Sequence, residues 1–192
     1  MDSNYLTNPL VFLIQVVFGL YLLAVLLRFL FQLVRADFYN PISQFIVKIT
    51  KPLLNPLRRV IPGYHGWDFA ALVLAWLVQA AELGIILALG GHGFQPVAAL
   101  ALAVPELVDL IINIFLAALF IQVILSWISP GHYNPAVGLT YSLTQPMLGP
   151  VQRRMPNMGG IDLSPMVVML GLYLLKMLLL PPLQALVRQL LM

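Results

Sequence analysis

The chain repeats itself, because residues 39–68 align with residues 133–162 without a gap, at an offset of 94 positions. Eleven of these thirty positions carry the same residue in both copies, and five of the eleven are Pro or Gly, which set the backbone geometry. The identical positions are Tyr39/Tyr133, Asn40/Asn134, Pro41/Pro135, Thr50/Thr144, Pro52/Pro146, Leu54/Leu148, Pro56/Pro150, Arg59/Arg153, Pro62/Pro156, Gly66/Gly160 and Asp68/Asp162. The repeat predicts two copies of one structural unit, although a duplication without functional symmetry would leave the same trace.

The composition indicates that lipid surrounds this chain. Hydrophobic residues make up 61% of it and charged residues 9%, whereas a soluble domain carries roughly 45–50% and about 25%. A helix needs about 20 apolar residues to cross a bilayer. Four stretches are long enough: 10–34, 69–89, 107–129 and 164–182. We therefore predict an all-α integral membrane protein with four transmembrane helices, arranged as two parallel repeats over residues 1–95 and 96–192.

Prolines mark the uncertain boundaries of these spans. The apolar segment 96–104 lies between Pro96 and Pro105 and is too short to cross, so we expect an interfacial or re-entrant piece there. Pro181 and Pro182 interrupt the fourth span. Residues 183–192 are then expected to lie on the membrane surface.

Positive charge is concentrated in two of the three connections. Five Lys and Arg residues lie in 35–67 and two in 130–163, whereas 90–106 contains none. Because cytoplasmic loops collect basic residues, we expect both long loops in the cytoplasm and both termini in the periplasm. The predicted basic surface consists of Lys48, Lys51, Arg58, Arg59, Arg153 and Arg154.

Each long loop is predicted to begin with a helix on the membrane surface. Asn40-Pro41 and Asn134-Pro135 are typical helix starts, since Asn caps free amides and Pro in the first turn has no amide to satisfy. An apolar stripe beside lysines follows in the first copy, which is typical of an interfacial amphipathic helix; it consists of Ile42, Phe45, Ile46 and Ile49. Pro52 and Pro146 are expected to break these helices.

Charged residues within or beside the spans suggest three ion pairs. Glu82 and Lys176 occupy equivalent positions of the two repeats, so we predict an intramembrane ion pair between them; the alternative is that each extends separately to an interface. Arg59 with Asp68, and Arg153 with Asp162, are predicted to pin each loop to the following helix. The alternative role of both aspartates is helix capping.

Two further polar stripes lie along the first and third spans. Arg28, Gln32 and Arg35 correspond to Gln122, Ser126 and Ser129, and a second stripe consists of Glu106, Asp109 and Asn113. These side chains either pack near helix ends or line water-filled vestibules.

The loop motifs resemble those of a known family. Residues 37–41 are Asp-Phe-Tyr-Asn-Pro, and residues 51–62 are Lys-Pro-Leu-Leu-Asn-Pro-Leu-Arg-Arg-Val-Ile-Pro. The second copy has Gln-Pro at 145–146 and Gly-Gly-Ile-Asp-Leu-Ser-Pro at 159–165. Both copies resemble the signature of the YggT family, called YlmG in other lineages, and the resemblance covers essentially the whole chain.

The resemblance implies a protein of the bacterial inner membrane with no assigned biochemical activity in its family. Bacterial members are linked to cell division and osmotic stress, and plastid relatives to nucleoid distribution or cytochrome assembly. No catalytic, cofactor or metal site is predicted from the residues, because the chain has no Cys and no nucleotide-binding or nucleophile motif. The three histidines, His65, His92 and His132, lie in predicted loops.

The sequence therefore favours a non-catalytic assembly or scaffolding factor. It would present basic amphipathic loops to membrane or cytoplasmic proteins or to anionic phospholipid, without binding nucleic acid directly. The alternative is a small ion or solute channel or transporter formed by homo-oligomerisation around the polar stripes.

Overall fold

The structure, a computed structural model, describes residues 4–64, 66–91, 93–128, 134–155 and 162–191. All regular elements in these ranges are α-helices, which confirms the predicted fold class. The helices are α1 (Asn4–Leu33), α2 (Pro41–Val60), α3 (Phe69–Leu89), α4 (Pro96–Ile128), α5 (Pro135–Gln152) and α6 (Ser164–Leu191).

Four of the helices are long and apolar enough to cross a membrane. These spans are Asn8–Leu33, Phe69–Leu89, Pro96–Leu125 and Ser164–Leu191. Each overlaps one predicted span, and α2 and α5 fall in the two predicted loop segments. The chain is thus a four-span helical membrane protein whose two repeats each contain a shorter helix between the spans.

The predicted break before the third span is wrong. Residues 96–104 are not a separate interfacial or re-entrant piece, because α4 continues through Pro105. Pro105 is fully buried, and the indole nitrogen of Trp76 on α3 donates a hydrogen bond of 2.9 Å to the carbonyl of Leu100. Transmembrane helices tolerate proline where a neighbouring helix supplies such contacts.

The predicted end of the fourth span is also wrong. Pro181 and Pro182 lie inside α6, and residues 183–191 continue the helix. Both prolines lie on the exposed side of α6. A helix satisfies its own backbone hydrogen bonds, so in an apolar environment continuing past the prolines is less costly than unwinding.

The surface helices likewise run through the prolines expected to break them. α2 includes Pro52 and α5 includes Pro146. Thr50 and Leu54 on α2 are fully buried, whereas Pro52 between them is exposed. Packing therefore holds the inner side of the helix, and the carbonyl that Pro52 leaves without a partner is on the outer side.

The two repeats have the same internal arrangement. α1 packs on α2 and α3, and α4 packs on α5 and α6 in the same way. The main contact between repeats joins α3 to α4, and α1 touches α4 and α5. Among the described residues α6 contacts only α4 and α5, so α4 separates α3 from α6.

The two surface helices lie at the same end of the bundle. α2 contacts α5, and the side-chain amide of Asn40 donates a hydrogen bond of 2.8 Å to the carbonyl of Pro135. Parallel repeats require this placement. We call this end, with α2 and α5, the basic end.

The cross-repeat bond of Asn40 gives a prediction. Asn40 and Asn134 both cap their helices by accepting the amide of the residue two positions on, but among the described residues only Asn40 also bonds the other repeat. Asn40→Ala should cost about 1 kcal/mol for the cap and about 0.5–1.5 kcal/mol more for the cross-repeat bond. Asn134→Ala is the matched control and should cost the cap alone. Denaturant unfolding of the purified chains checks this, and equal losses would contradict the link.

Candidate functional site

Helix α2 has three separate faces. Side chains at i, i+3, i+7 and i+11 form a stripe along a helix, and the three stripes of α2 lie about 120° apart. The first is buried against the bundle, the second is exposed and apolar, and the third is exposed and cationic apart from one Asn. In that order they are Ser43, Ile46, Thr50 and Leu54; Ile42, Phe45, Ile49 and Leu53; and Lys48, Lys51, Asn55 and Arg59. The predicted apolar stripe is thus divided, since Ile46 packs inward and the other three face outward.

The cationic stripe forms a shallow groove on the outside of α2. The groove has a volume of about 400 Å³ and is lined by Lys48, Lys51, Pro52, Asn55, Pro56 and Arg59. Within the described residues none of its three cations forms a hydrogen bond or an ion pair. They are therefore available to an external anion.

The predicted pairing of Arg59 with Asp68 is wrong by one residue. Arg58 Nη2 forms the ion pair with Asp68 Oδ2, while Arg59 belongs to the cationic stripe. A helix turns by about 100° per residue, so neighbouring side chains point in different directions. Asp68 also caps α3 by accepting the amide of Ala71 at 3.3 Å, so both roles considered for it coexist.

The second repeat has the same contact without the charge. Gln152, which is the equivalent of Arg58, donates from Nε2 to Asp162 Oδ2 at 2.8 Å, so Arg153 is again the wrong partner. Burial of Asp162 works against its ionisation, but hydrogen bonds from Ser164 and Gln152 hold the pKa of this carboxyl below its ordinary value. Arg153 and Arg154 follow at the exposed end of α5.

A second equivalent contact ties each surface helix to the span before it. Arg28 Nη1 donates to Thr50 Oγ1 at 2.7 Å and to the carbonyl of Val47 at 3.3 Å. In the other repeat the hydroxyl of Thr144 bonds the amide oxygen of Gln122. Both threonines are fully buried. The stripe that contains Arg28 and Gln122 thus includes packing contacts.

A cavity of about 380 Å³ opens between α1 and α2 beside this contact. Three arginines line it: Arg28, Arg35 and Arg58. Arg58 also donates to Gln32 Oε1 at 3.2 Å. The sequence places Arg28, Gln32 and Arg35 on one stripe, but it does not predict that Arg58 lies beside them.

The predicted intramembrane pair is wrong, because Glu82 and Lys176 have different partners. Lys176 Nζ lies 2.6 Å from Asp109 Oδ1 and donates to Asn113 Oδ1 at 2.8 Å. Glu82 accepts a hydrogen bond of 3.1 Å from Gln79 on its own helix. The physical reason is that α4 separates α3 from α6. Neither residue extends alone to an interface, as the alternative proposed.

The second polar stripe therefore has a packing role in part. Asp109 and Asn113 are bonded to each other at 3.0 Å and hold α6 through Lys176. Within the part of the chain that the structure describes, no three His, Asp or Glu side chains are grouped as metal ligands would be. His65, His92 and His132 lie outside the described residues.

Comparison with known proteins supports the repeat and decides the family. The family model for CCB3/YggT matches the chain twice, over residues 7–89 and 101–183, which are separated by the same 94 positions. The chain belongs to the CCB3/YggT family.

Relatives cover nearly the whole chain. An uncharacterized protein of Pseudomonas aeruginosa is 48% identical over 175 residues, which are 90% of this chain and 89% of the relative. The uncharacterized protein YggT of Escherichia coli K12 is 38% identical over 170 residues, which are 88% of each chain. A protein of Vibrio alginolyticus is also 38% identical, over 86% of this chain and 90% of the relative. No solved structure matches the chain significantly.

The polar contacts predict how Lys176 couples to its neighbours. Residues in contact show coupling energies of about 0.5–3 kcal/mol in double-mutant cycles. Asp109→Asn and Lys176→Met should show coupling of this size for unfolding, whereas Glu82→Gln with Lys176→Met should be additive. Unfolding of the single and double variants in one detergent measures both cycles. Coupling of Lys176 to Glu82 instead of Asp109 would contradict the observed packing.

Proposed function

We propose that this protein is a non-catalytic assembly or scaffolding factor of the bacterial inner membrane. Its basic end faces the cytoplasm, and the cationic stripe of α2 (Lys48, Lys51, Asn55 and Arg59) recruits an acidic surface of a protein partner at the membrane. The single observation that carries the proposal is the separation of this stripe from the residues that hold α2 in place. The family resemblance suggests an envelope process as the setting, such as cell division or the response to osmotic stress.

The attachment of α2 does not use the cationic stripe. The buried stripe supplies Thr50 and Leu54 to the bundle, and Arg58 holds the loop through Asp68. Long cationic side chains that are exposed and unpaired contribute little to stability. Their clustering on one face is therefore better explained by an external anionic partner than by the fold.

The apolar exposed stripe supports a position within the membrane interface. Ile42, Phe45, Ile49 and Leu53 lie about 120° from the cationic stripe. A helix with these two faces beside membrane spans lies with its apolar face in the acyl region and its cations near the headgroups. The positive-inside tendency then favours the cytoplasmic side for the basic end.

The two repeats differ in how much charge they present. At the positions of Lys48 and Lys51, α5 has Ser142 and Gln145, and only Arg153 retains the cation. We infer that the first repeat carries the recruiting face. The second provides an almost uncharged copy of the same helix, which serves as an internal control.

A channel or transporter remains the second candidate, on a weaker basis. It would use the polar residues of the spans, but these bond one another: Gln79 to Glu82, and Asp109 and Asn113 to Lys176. Polar groups that satisfy one another inside the membrane are typical of helix packing as well as of pathways. The cationic stripe has no such internal explanation.

Photocrosslinking in native membranes tests the proposed function. A photoreactive residue at Asn55, in the middle of the cationic stripe, should capture a discrete protein, and Lys48→Gln/Lys51→Gln/Arg59→Gln should abolish that adduct. The charge is the recruiting feature, so a photoreactive residue at Gly149, the equivalent position of α5, should not yield it.

Two outcomes would contradict the scaffold. One is an adduct that survives removal of all three cations. The other is conductance of the purified chain in liposomes that depends on Asp109 and Glu82 and is unchanged in the triple variant.

A further inference from the structure

We propose that the cavity between α1 and α2 is a binding site for a phosphate group, supplied by the headgroup of an anionic phospholipid. The site comprises Arg28, Arg35 and Arg58 with the hydroxyl of Ser43. It deepens the proposed function, because anionic lipid is the surface on which the recruiting helix would lie. It is nevertheless separate from the cationic stripe, which lies on average about 120° from Ser43 around the axis of α2.

The cavity has an excess of positive charge. Three guanidinium groups line it. One of them, that of Arg58, pairs with the carboxylate of Asp68. Asp37 follows Arg35 closely, but it is not in the lining and accepts the amide of Tyr39 at 2.9 Å. Arg28 is only 8% exposed, and its hydrogen-bond partners among the described residues are the uncharged oxygens of Thr50 and Val47. The carboxylate of Asp68 is close enough to act on Arg28 as well as on Arg58, so one acid serves two guanidinium groups. A buried charge that is incompletely paired is costly, and an anion in the cavity would offset that cost.

A buried hydroxyl in the same lining has no partner. Ser43 is 6% exposed, and its Oγ forms no hydrogen bond with any described residue. Buried polar atoms are satisfied in most proteins, so an orphaned one calls for an explanation. A phosphate oxygen would accept the hydroxyl proton and complete the set of donors.

Arg35 lines this cavity from a backbone conformation that is unfavourable for any residue other than glycine. Arg35 lies two residues after the end of α1 and has a φ of 54°, in the left-handed region that favours glycine. The amide of Ala36 bonds the carbonyl of Phe31 at 2.8 Å, and that of Arg35 bonds Gln32 at 3.2 Å. This is the arrangement in which helices commonly end on glycine. An arginine in this conformation costs stability relative to glycine, and its side chain lines the cavity.

The second repeat separates structural from ligand-binding roles. Its equivalents of Arg28, Arg35 and Arg58 are Gln122, Ser129 and Gln152, all uncharged. Gln122 still bonds Thr144, and Gln152 still bonds Asp162. Glutamine is therefore sufficient to attach a surface helix in this fold. The three positive charges of the first repeat are additional to that attachment, and all of them line one cavity.

The walls of the cavity favour a lipid as the source of the phosphate. Phe31, Ile46 and Val47 contribute apolar surface beside the arginines, and Arg28 lies within a membrane span. A headgroup phosphate can reach the arginines while its glycerol and acyl portions contact these side chains. Free phosphate has no apolar group that could contact these side chains. Basic pockets between helices at the membrane surface are typical lipid-headgroup sites.

Lipid titration of the full chain in uncharged detergent tests this site. Native mass spectrometry would count bound phosphatidylglycerol, with phosphatidylcholine and inorganic phosphate as the other two ligands. Arg28→Gln/Arg35→Ser/Arg58→Gln installs the residues of the second repeat and should weaken phosphatidylglycerol binding about tenfold, since charge-assisted bonds are lost. Lys48→Gln/Lys51→Gln/Arg59→Gln removes the same charge from the cationic stripe, which lines no part of the cavity, and should weaken binding clearly less, by about threefold at most.

Each outcome of the titration decides a separate point. Equal weakening in both triple variants, or no saturable binding by the natural chain, overturns the site. Displacement of the lipid by inorganic phosphate at similar concentration confirms the phosphate site and overturns its assignment to lipid. If the first variant does not fold, Arg35→Ser alone removes one charge without touching the helix attachment and should still weaken binding. If a photoreactive residue at Asn55 captures no protein in the natural chain, that result contradicts only the scaffold and not the lipid site.

Discussion

The buried contact between each surface helix and the span before it is the interaction on which the rest depends. Thr50 and Thr144 are fully buried and bond Arg28 and Gln122, at equivalent positions of α1 and α4. The bonds to Asp68 and Asp162 then fix the far ends of α2 and α5 near the following spans. With both ends attached, α2 has one face in the bundle and two faces free. α5 has less free surface, because Leu139 and Leu143, at the positions of Phe45 and Ile49, are buried. The free faces are where the repeats differ and where function is expected to lie.

The duplication preserved the attachment and changed the charge. Asp68 and Asp162 are identical, but the residues that bond them are Arg58 and Gln152. A structural role is met by any donor of suitable length, whereas a ligand-binding role requires the charge. The comparison of the two repeats thus separates the structural contact from the charge, as a series of variants would. It assigns the extra charge of the first repeat to the binding of an anion.

Much of the fold was predictable from the sequence, but the packing partners were not. Span positions follow from the length of apolar stretches, and the helix starts at Asn40 and Asn134 follow from capping chemistry. The helix ends predicted at the prolines at 52, 105 and 181 are wrong, because burial and the absence of water outweigh the local backbone preference of proline. The sequence pairs Lys176 with Glu82 because symmetry-equivalent positions share a depth. Depth alone does not reveal that α4 lies between their helices.

The cavity between α1 and α2 was only partly visible in the sequence. Arg28 and Arg35 share a helical stripe, so their proximity could be predicted. Arg58 joins them only because α2 remains a single helix past Pro52 and Pro56. Had the helix broken there, as the sequence suggested, its position would have been unconstrained. The sequence does contain one signal. The 94-residue offset pairs Arg58 with Gln152, beside the identical pair Arg59 and Arg153, and so marks a change of charge within a motif that both repeats share.

Side-specific cysteine labelling tests the architecture most directly, because the chain has no Cys of its own. Single Cys residues at Asn55 on α2 and Ser142 on α5 should react with a membrane-impermeant maleimide from the cytoplasmic side. A Cys at Phe94, which is exposed between α3 and α4, should react from the other side alone. Labelling of Asn55→Cys and Ser142→Cys from opposite sides of the bilayer would contradict the parallel repeat and everything inferred from it.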